Sequence, residues 1–287
     1  MKSGTDIYTE SDEKYVNLKI EGKIAFIQFS NPEKRNALNS HLCREMSCAV
    51  RKCRQAGITA IIITARGNDM VWSSGLDISE FYENTAAQTT TTPQAAKKHI
   101  KLRDPVAEDM PLPVLLKEIE EYPGIVTAMI HGSVWGGAAE LVAACDLAYG
   151  DMTAAFAVTP AKIGLPYSCK GLLRFINKIG LAATKELFYT AAPVSAAHAG
   201  ETGLLTWLAE TSDFNILKKL TFEKVLHISK LSMAVIKSLK KEFRLFETKE
   251  LSEKDLLQFA DIRKETFASG DFEKGVTAFL NKTTPDF

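Results

Sequence analysis

Long hydrophobic runs are missing from this sequence. Apolar stretches such as Ala60 to Thr64 and Ile125 to Ile130 fall far short of the roughly 20 residues that a bilayer-spanning helix needs. Met1 to Ile20 is acidic and polar, where a secretory leader would place a basic patch before an apolar stretch. There is no surplus of charge either. With 35 basic and 35 acidic residues, no global field recruits nucleic acid or an anionic membrane, although a local basic pocket for one phosphorylated ligand is still compatible. Cysteine is scarce: Cys43, Cys48, Cys53, Cys145 and Cys169 form no C-x-x-C pair and sit mostly in apolar or helical contexts. Their odd number and placement point to reduced thiols and a cytoplasmic setting. His41, His99, His131, His198 and His227 are scattered without H-x-x-x-H spacing, so no metal site is expected. The chain also has no phosphate-binding Walker loop, no G-x-G-x-x-G after a strand and no G-x-S-x-G elbow, which removes the common nucleotide-hydrolase, dinucleotide and α/β-hydrolase readings.

What is present suits an ordinary globular chain: 287 residues, 46% hydrophobic and 24% charged. Tyr15 to Ile20 and Ile24 to Phe29, rich in β-branched and aromatic residues, flank Glu21-Gly22-Lys23 and read as a hairpin. Asn31-Pro32 ends the second strand. From Asn39 onward, Leu42, Met46, Val50 and Cys53 recur at helical spacing until Gly57, with Asn39 or Ser40 as the cap. Ala60 to Thr64 is apolar throughout and is expected to be a strand buried on both faces. Residues 84–113, with the Thr89 to Thr92 tract, Lys97, Lys98, Lys101, Arg103 and three prolines, read as a solvated excursion, either a plain surface loop or a basic lid. Ile125 to Ile130, the glycine stretch Gly132 to Gly137, helical Ala138 to Ala144 and a strand near Leu147 give an α/β crossover signal. Beyond Gly171 the patterns are helical: Leu172 to Lys178, Leu181 to Tyr189, Phe214 to Lys230, Ala234 to Phe246 and Lys254 to Phe267. The expected organisation is an α/β core over residues 1–200 and a helical carboxyl-terminal region over 201–287, packed on the core or on a neighbouring subunit.

Two turns carry the chemical interest, Trp72-Ser73-Ser74-Gly75-Leu76-Asp77-Ile78 and Gly132-Ser133-Val134-Trp135-Gly136-Gly137-Ala138-Ala139-Glu140. Each follows an apolar strand run and reads as opening a helix. Glycine allows tight backbone there and a helix start leaves N–H groups unpaired, so either turn could hold an anion or a developing oxyanion. Close-packed strand-to-helix turns would have the same sequence.

Together with N-P-x-K-R-N-A-L (Asn31 to Leu38), S-S-G-L-D-I-x-E-F (Ser73 to Phe81) and G-S-V-W-G-G-A-A-E (Gly132 to Glu140), these turns resemble the crotonase, or enoyl-CoA hydratase, superfamily over about Tyr15 to Phe287. The resemblance implies a crotonase-like ββα spiral core and an acyl-CoA substrate. It also implies a homotrimer or dimer of trimers in which a neighbour's carboxyl-terminal helix can complete the site. By position it makes the Leu76 and Gly137 amides an oxyanion hole for the thioester carbonyl. It places Lys34 and Arg35, with Ser74, Asp77 and Ile78 of the first turn, among the contacts to coenzyme A, although isolated basic residues are also commonly just solvated.

The reaction depends on carboxylates, because hydrating an enoyl thioester takes two glutamates acting on one water. Glu140 matches the first. The second is expected just after the proline of Val158 to Tyr167, yet no Asp or Glu occurs from Ala154 through Leu173. That segment, G-S-V-W-G-G-A before it and the ending Phe279 to Phe287 are instead similar to the methylmalonyl-CoA decarboxylase branch. There Tyr167 would contact the substrate carboxylate, unless it is only a packed core tyrosine. The branch carries a histidine where this chain has Leu76, a change that spares the main-chain amide but leaves a more apolar pocket. Glu140 is open to three roles: protonating the enolate, shaping the pocket, or standing idle with its charge satisfied by neighbouring amides. The expected function is cofactor-independent decarboxylation of a short branched malonyl-CoA, with coenzyme A present only as part of the substrate. The rivals are a hydratase, isomerase or thioester hydrolase using Glu140 alone, and a non-catalytic acyl-CoA-binding or RNA-binding protein, the last disfavoured by balanced charge.

Overall fold

The computed structural model describes residues 7–8, 14–66, 70–83, 101–102, 104, 107–247 and 253–285. The Thr89 to Thr92 tract, Lys97, Lys98, Arg103 and the last two residues of the chain lie outside the described residues. Lys101–Leu102 pairs antiparallel with Tyr82–Glu83 as a two-residue ribbon.

Among the described residues a seven-stranded sheet runs in the order Ile7–Tyr8, Val16–Glu21, Ile24–Phe29, Ala60–Ala65, Ile125–Ile130, Leu147–Asp151, Trp207–Ala209. The hairpin forms where expected, with Val16 opposite Phe29 and Glu21 opposite Ile24. From Ile24–Phe29 onward every neighbour is parallel. Such strands are covered on both faces, which is why Ala60–Ala65 is buried at every position. One cover is the helix Ser40–Gln55, started by the Asn39 side chain accepting from the Leu42 N–H at 2.8 Å. Its apolar stripe of Leu42, Met46, Val50 and Cys53 is fully buried. Each such side chain contributes roughly 1.5–3 kcal/mol on leaving water.

A second sheet of four short strands, Val194–Ser195, Ala155–Ala157, Ser133–Trp135 and Val71–Ser73, lies in that order. The chain alternates between the two sheets. Ile125–Ile130 feeds Ser133–Trp135 and then the helix Gly137–Ala144; Leu147–Asp151 feeds Ala155–Ala157 and then the helix Cys169–Thr190. Strand, strand, helix is the ββα turn of a spiral. None of the short strands was read as such from the sequence, because three residues carry too little periodicity.

The two helices expected over 172–189 are the halves of Cys169–Thr190, broken at Gly180, where φ is +76°. The main sheet continues past the boundary expected at residue 200, since Trp207–Ala209 pairs with Tyr149–Asp151. After it the chain is helical: Phe214–Ser229, Met233–Glu247, Glu253–Ala268 and Asp271–Leu280. The last helix packs on its own chain at backbone contact. A Cβ on Gly275 would stand 2.3 Å from the Ile163 carbonyl oxygen, and one on Gly164 2.5 Å from the Asp271 backbone. No helix among the described residues is long and apolar enough to cross a membrane.

Candidate active site

The two glycine turns are brought together by the small sheet. Val71–Ser73 and Ser133–Trp135 are parallel neighbours, so the turns that leave them emerge side by side. The first does not open an α-helix as its sequence suggests. It continues as a parallel bridge between Leu38 and Leu76 and only then enters the short 3-10 helix Ile78–Phe81. The Leu38 N–H donates to the Gly75 carbonyl at 2.7 Å and the Asp77 N–H to the Leu38 carbonyl at 3.2 Å. A parallel bridge made this way turns the N–H of the middle residue, Leu76, away from Leu38. The second turn does open a helix, whose first residue is Gly137. That N–H has no carbonyl one turn earlier to bond. A Cβ placed on Gly137 would sit 3.6 Å from the Leu76 nitrogen, so the two amides flank one small space.

Gly75 makes this approach available. Its φ is +89°, and an added Cβ would lie 2.5 Å from the Trp135 carbonyl oxygen. Gly75→Ala is therefore expected to cost about 1–3 kcal/mol of stability and to separate the two turns. A chemical denaturation curve together with an activity assay checks it, and a variant with unchanged stability and turnover would show that the approach is unimportant.

Glu140 is one helical turn beyond Gly137, with only 4% of its surface exposed. Neighbouring amides do not satisfy its charge; side chains do. The Tyr167 hydroxyl donates to Oε2 at 2.7 Å and the Arg174 guanidinium to Oε1 at 2.7 Å. Arg174 also holds Glu120 through Nε at 2.5 Å and Nη2 at 3.1 Å. Burial pushes the Glu140 carboxyl above the usual range, with Arg174 and Tyr167 opposing it. Burial and then Glu140 push the Tyr167 hydroxyl far above its ordinary value, so it serves as a neutral hydroxyl. For Arg174, burial works against the charge, and pairing with Glu120 and Glu140 outweighs it. The Tyr167 ring is edge-on to Phe188, with centroids 4.8 Å apart, so this tyrosine is packed and polar-bonded at once.

Sequence reasoning missed Arg174, Glu120 and Gly171. A Cβ on Gly171 would stand 2.5 Å from the Tyr167 ring and 2.8 Å from Glu140 Oε1, so glycine there is what lets the pair meet. Glu120 had a legible signal. In the helix Pro111–Glu120 it continues the stripe Leu112, Leu116 at four-residue spacing, a charge on an otherwise buried face.

The residues expected to contact coenzyme A form a braced loop. Lys34 Nζ donates to Asp77 Oδ2 at 2.7 Å and to Ser79 Oγ at 3.1 Å. Burial raises the Asp77 carboxyl, but hydrogen bonds from Lys34 and Ser79 hold it below the usual range. Asp77 is thus occupied within the protein. The Ser74 hydroxyl donates to the Lys34 carbonyl and its N–H to the Arg35 carbonyl, so the two segments are laced together. Arg35 is exposed in a left-handed conformation at φ +50°, and Ile78 is half-buried at the start of the 3-10 helix.

Behind Glu140 lies a cavity of about 910 Å³, walled by Leu112, Leu116 and Leu173 and covered by Ile236, Leu239 and Phe243 of the helix Met233–Glu247. Leu112 also touches the space beside Gly137, where a Cβ would meet its Cδ2 at 2.9 Å. Leu112 is thus shared between the cavity wall and the surroundings of Gly137. Burial pushes the Cys43, Cys53 and Cys145 thiols up to about 12, which leaves them unreactive. Among the described residues no group of three or more His, Cys, Asp or Glu could hold a metal ion.

Comparison with known proteins bears on this arrangement. The family model for enoyl-CoA hydratase/isomerase matches residues 19–287. Methylmalonyl-CoA decarboxylase of Escherichia coli (strain K12) is 30% identical over 275 residues, spanning 96% of this chain and 98% of that one. A probable enoyl-CoA hydratase of Bacillus subtilis (strain 168) is 28% identical, spanning 95% and 98%. Among solved structures, methylmalonyl-CoA decarboxylase in complex with 2-nitronate-propionyl-CoA superposes with a TM-score of 0.84 at 29% identity, over 96% of this chain and 98% of that one.

Proposed function

The chain belongs to the enoyl-CoA hydratase/isomerase family, and from that premise we propose that it removes CO₂ from a short branched malonyl-CoA thioester, converting methylmalonyl-CoA to propionyl-CoA. One observation carries the reading. Glu140, in the first turn of the helix that Gly137 opens, is met from the Pro160 to Tyr167 segment by a tyrosine hydroxyl, where a hydratase would place a second carboxylate. Two carboxylates are needed to activate and deliver water; a tyrosine hydroxyl in the second position is a neutral donor suited to orienting a substrate carboxylate.

The chemistry asks for binding and orientation. The thioester carbonyl accepts from the Leu76 and Gly137 amides, and the acyl carboxylate lies by Tyr167 with its C–C bond perpendicular to the thioester plane. Breaking that bond releases CO₂ and moves its electron pair onto the thioester oxygen as an enolate. The two preorganised donors stabilise the enolate far more than the ground-state carbonyl. A proton then adds to the carbon that lost CO₂. The route uses no metal and no cofactor beyond the coenzyme A of the substrate.

Lys34, half-exposed though paired with Asp77, and exposed Arg35 are the cations that this reading assigns to the coenzyme A phosphates. A homotrimer or dimer of trimers goes with the same reading. Its support is the exposed apolar side chains of one helix, Val235 at 55%, Phe243 at 58% and Phe246 at 81%.

The test is direct: incubate the protein with methylmalonyl-CoA, malonyl-CoA, ethylmalonyl-CoA and crotonyl-CoA and follow the acyl-CoA products by mass spectrometry. Loss of CO₂ from a malonyl-type thioester with crotonyl-CoA untouched is the expected result. Hydration of crotonyl-CoA would replace the reading with hydratase chemistry on Glu140 alone. Tyr167→Phe is expected to keep the fold and lose roughly 10- to 100-fold in turnover, the value of one hydrogen bond to a charged group. Full activity in that variant would remove Tyr167 from the reaction.

A further inference from the structure

Glu120 faces Arg174 with both oxygens while Glu140 receives one guanidinium nitrogen. Two carboxylates therefore share one cation. The groups facing Glu140 among the described residues are Tyr167 by hydrogen bond, Arg174 by hydrogen bond and charge, and Glu120 by charge across Arg174.

An ionised carboxylate can only accept, so with Glu140 ionised the Tyr167 hydrogen is committed to it. A protonated Glu140 can donate. Its hydrogen then goes to the Tyr167 oxygen, and the Tyr167 hydrogen is free to turn toward the acyl group. The direction of this one contact decides whether Tyr167 can donate to a substrate carboxylate.

We propose that Glu120 is a positioning residue that, by neutralising Arg174, lets Glu140 carry a proton and so turns the Tyr167 hydroxyl toward the carboxylate of the bound acyl group. Glu120 acts through Arg174 and Glu140 and touches no reacting atom. The arriving carboxylate works in the same direction, since a third negative charge beside one guanidinium favours a proton on Glu140. The proposal rests on the decarboxylase reading, in which Tyr167 meets that carboxylate.

Two readouts test it. In Glu120→Gln the Arg174 charge acts on Glu140 undiluted, so Glu140 ionises at lower pH. The fall in kcat for methylmalonyl-CoA on the alkaline side then begins earlier, with about a tenfold loss near neutrality. KM changes less, and activity recovers at acidic pH. Glu120→Asp restores much of the wild-type profile. Arg174→Gln moves the fall to higher pH, the opposite direction. A purely structural role would depress turnover equally at every pH.

Independently of turnover, infrared difference spectra of the substrate-free protein follow the protonated-carboxyl band that is lost in Glu140→Gln. That band is expected to disappear at lower pH in Glu120→Gln than in wild type. If the Glu120→Gln band or pH profile does not move, or moves to higher pH, the proposal is overturned, whether or not Arg174→Gln folds. If the band moves as expected while wild type leaves every malonyl-type thioester intact, the charge control by Glu120 stands and the decarboxylase reading falls.

Discussion

Gly137→Pro is expected to lower turnover on the order of 100- to 1000-fold while leaving the fold in place, the largest catalytic effect of any single substitution considered for this chain. Gly137 is the first residue of the helix Gly137–Ala144, the one helical position where proline is well tolerated because the missing N–H has no partner in the helix. The change thus deletes one of the two amide donors and little else. The added Cβ meets the end of the flexible Leu112 side chain at 2.9 Å and the Leu76 nitrogen at 3.6 Å, and the ring Cδ takes the place of the amide hydrogen. Gly137→Ala supplies the control, adding the same Cβ while keeping the N–H. Steady-state kinetics on both, with circular dichroism and melting curves, separates the donor from the space it occupies. Equal losses in the two variants would assign the effect to crowding and would take the oxyanion role away from this amide.

Arg174→Leu is expected to show the largest loss of stability, about 3–5 kcal/mol, because it removes the cation and leaves two carboxylates facing a cavity. Arg174 has 13% of its side chain exposed and Glu140 5%, so water cannot easily replace the guanidinium. The loss depends on pH in a direction that can be worked out. Glu140 has a raised pKa in the folded chain, and removing Arg174 takes away the attraction that opposes burial. The folded variant then binds a proton more readily than the unfolded chain does, so its stability falls as pH rises and recovers as pH drops. Urea unfolding across mildly acidic to neutral pH is the measurement. A deficit that stays constant across that range would mean that packing, and not charge, is what Arg174 contributes.

Much of the architecture was readable along the chain. The Val16 to Phe29 hairpin, the Asn39 cap, the helix Ser40–Gln55 and the wholly buried strand Ala60–Ala65 each rest on local patterns several residues long, and the structure reproduces them. The small sheet was not readable. Strands such as Val71–Ser73 and Ser133–Trp135 exist because parallel neighbours pair with them, and their three residues carry no period of their own. The same limit explains the misread first turn, where Leu76 continues a bridge to Leu38 instead of opening an α-helix.

At the site, the two glycine turns, Glu140 and Tyr167 were legible as motifs, and their resemblance to one family was enough to predict that the turns meet. Asp77 and Lys34 were read as contacts to coenzyme A, and the structure pairs them with one another.

The sequence by itself determined the longer strands and helices, the glycines at the paired amides and the absence of a carboxylate between Ala154 and Leu173, because each is a property of neighbouring residues or of composition. Only the tertiary structure decided what Glu140 is bonded to. Arg174 lies 34 residues from Glu140 and 54 from Glu120 along the chain, and it reaches both because the spiral stacks their helices around one cavity. Charge at that distance leaves no trace in a local pattern, since burial and partner choice, which set the protonation of Glu140, exist only once the chain has folded.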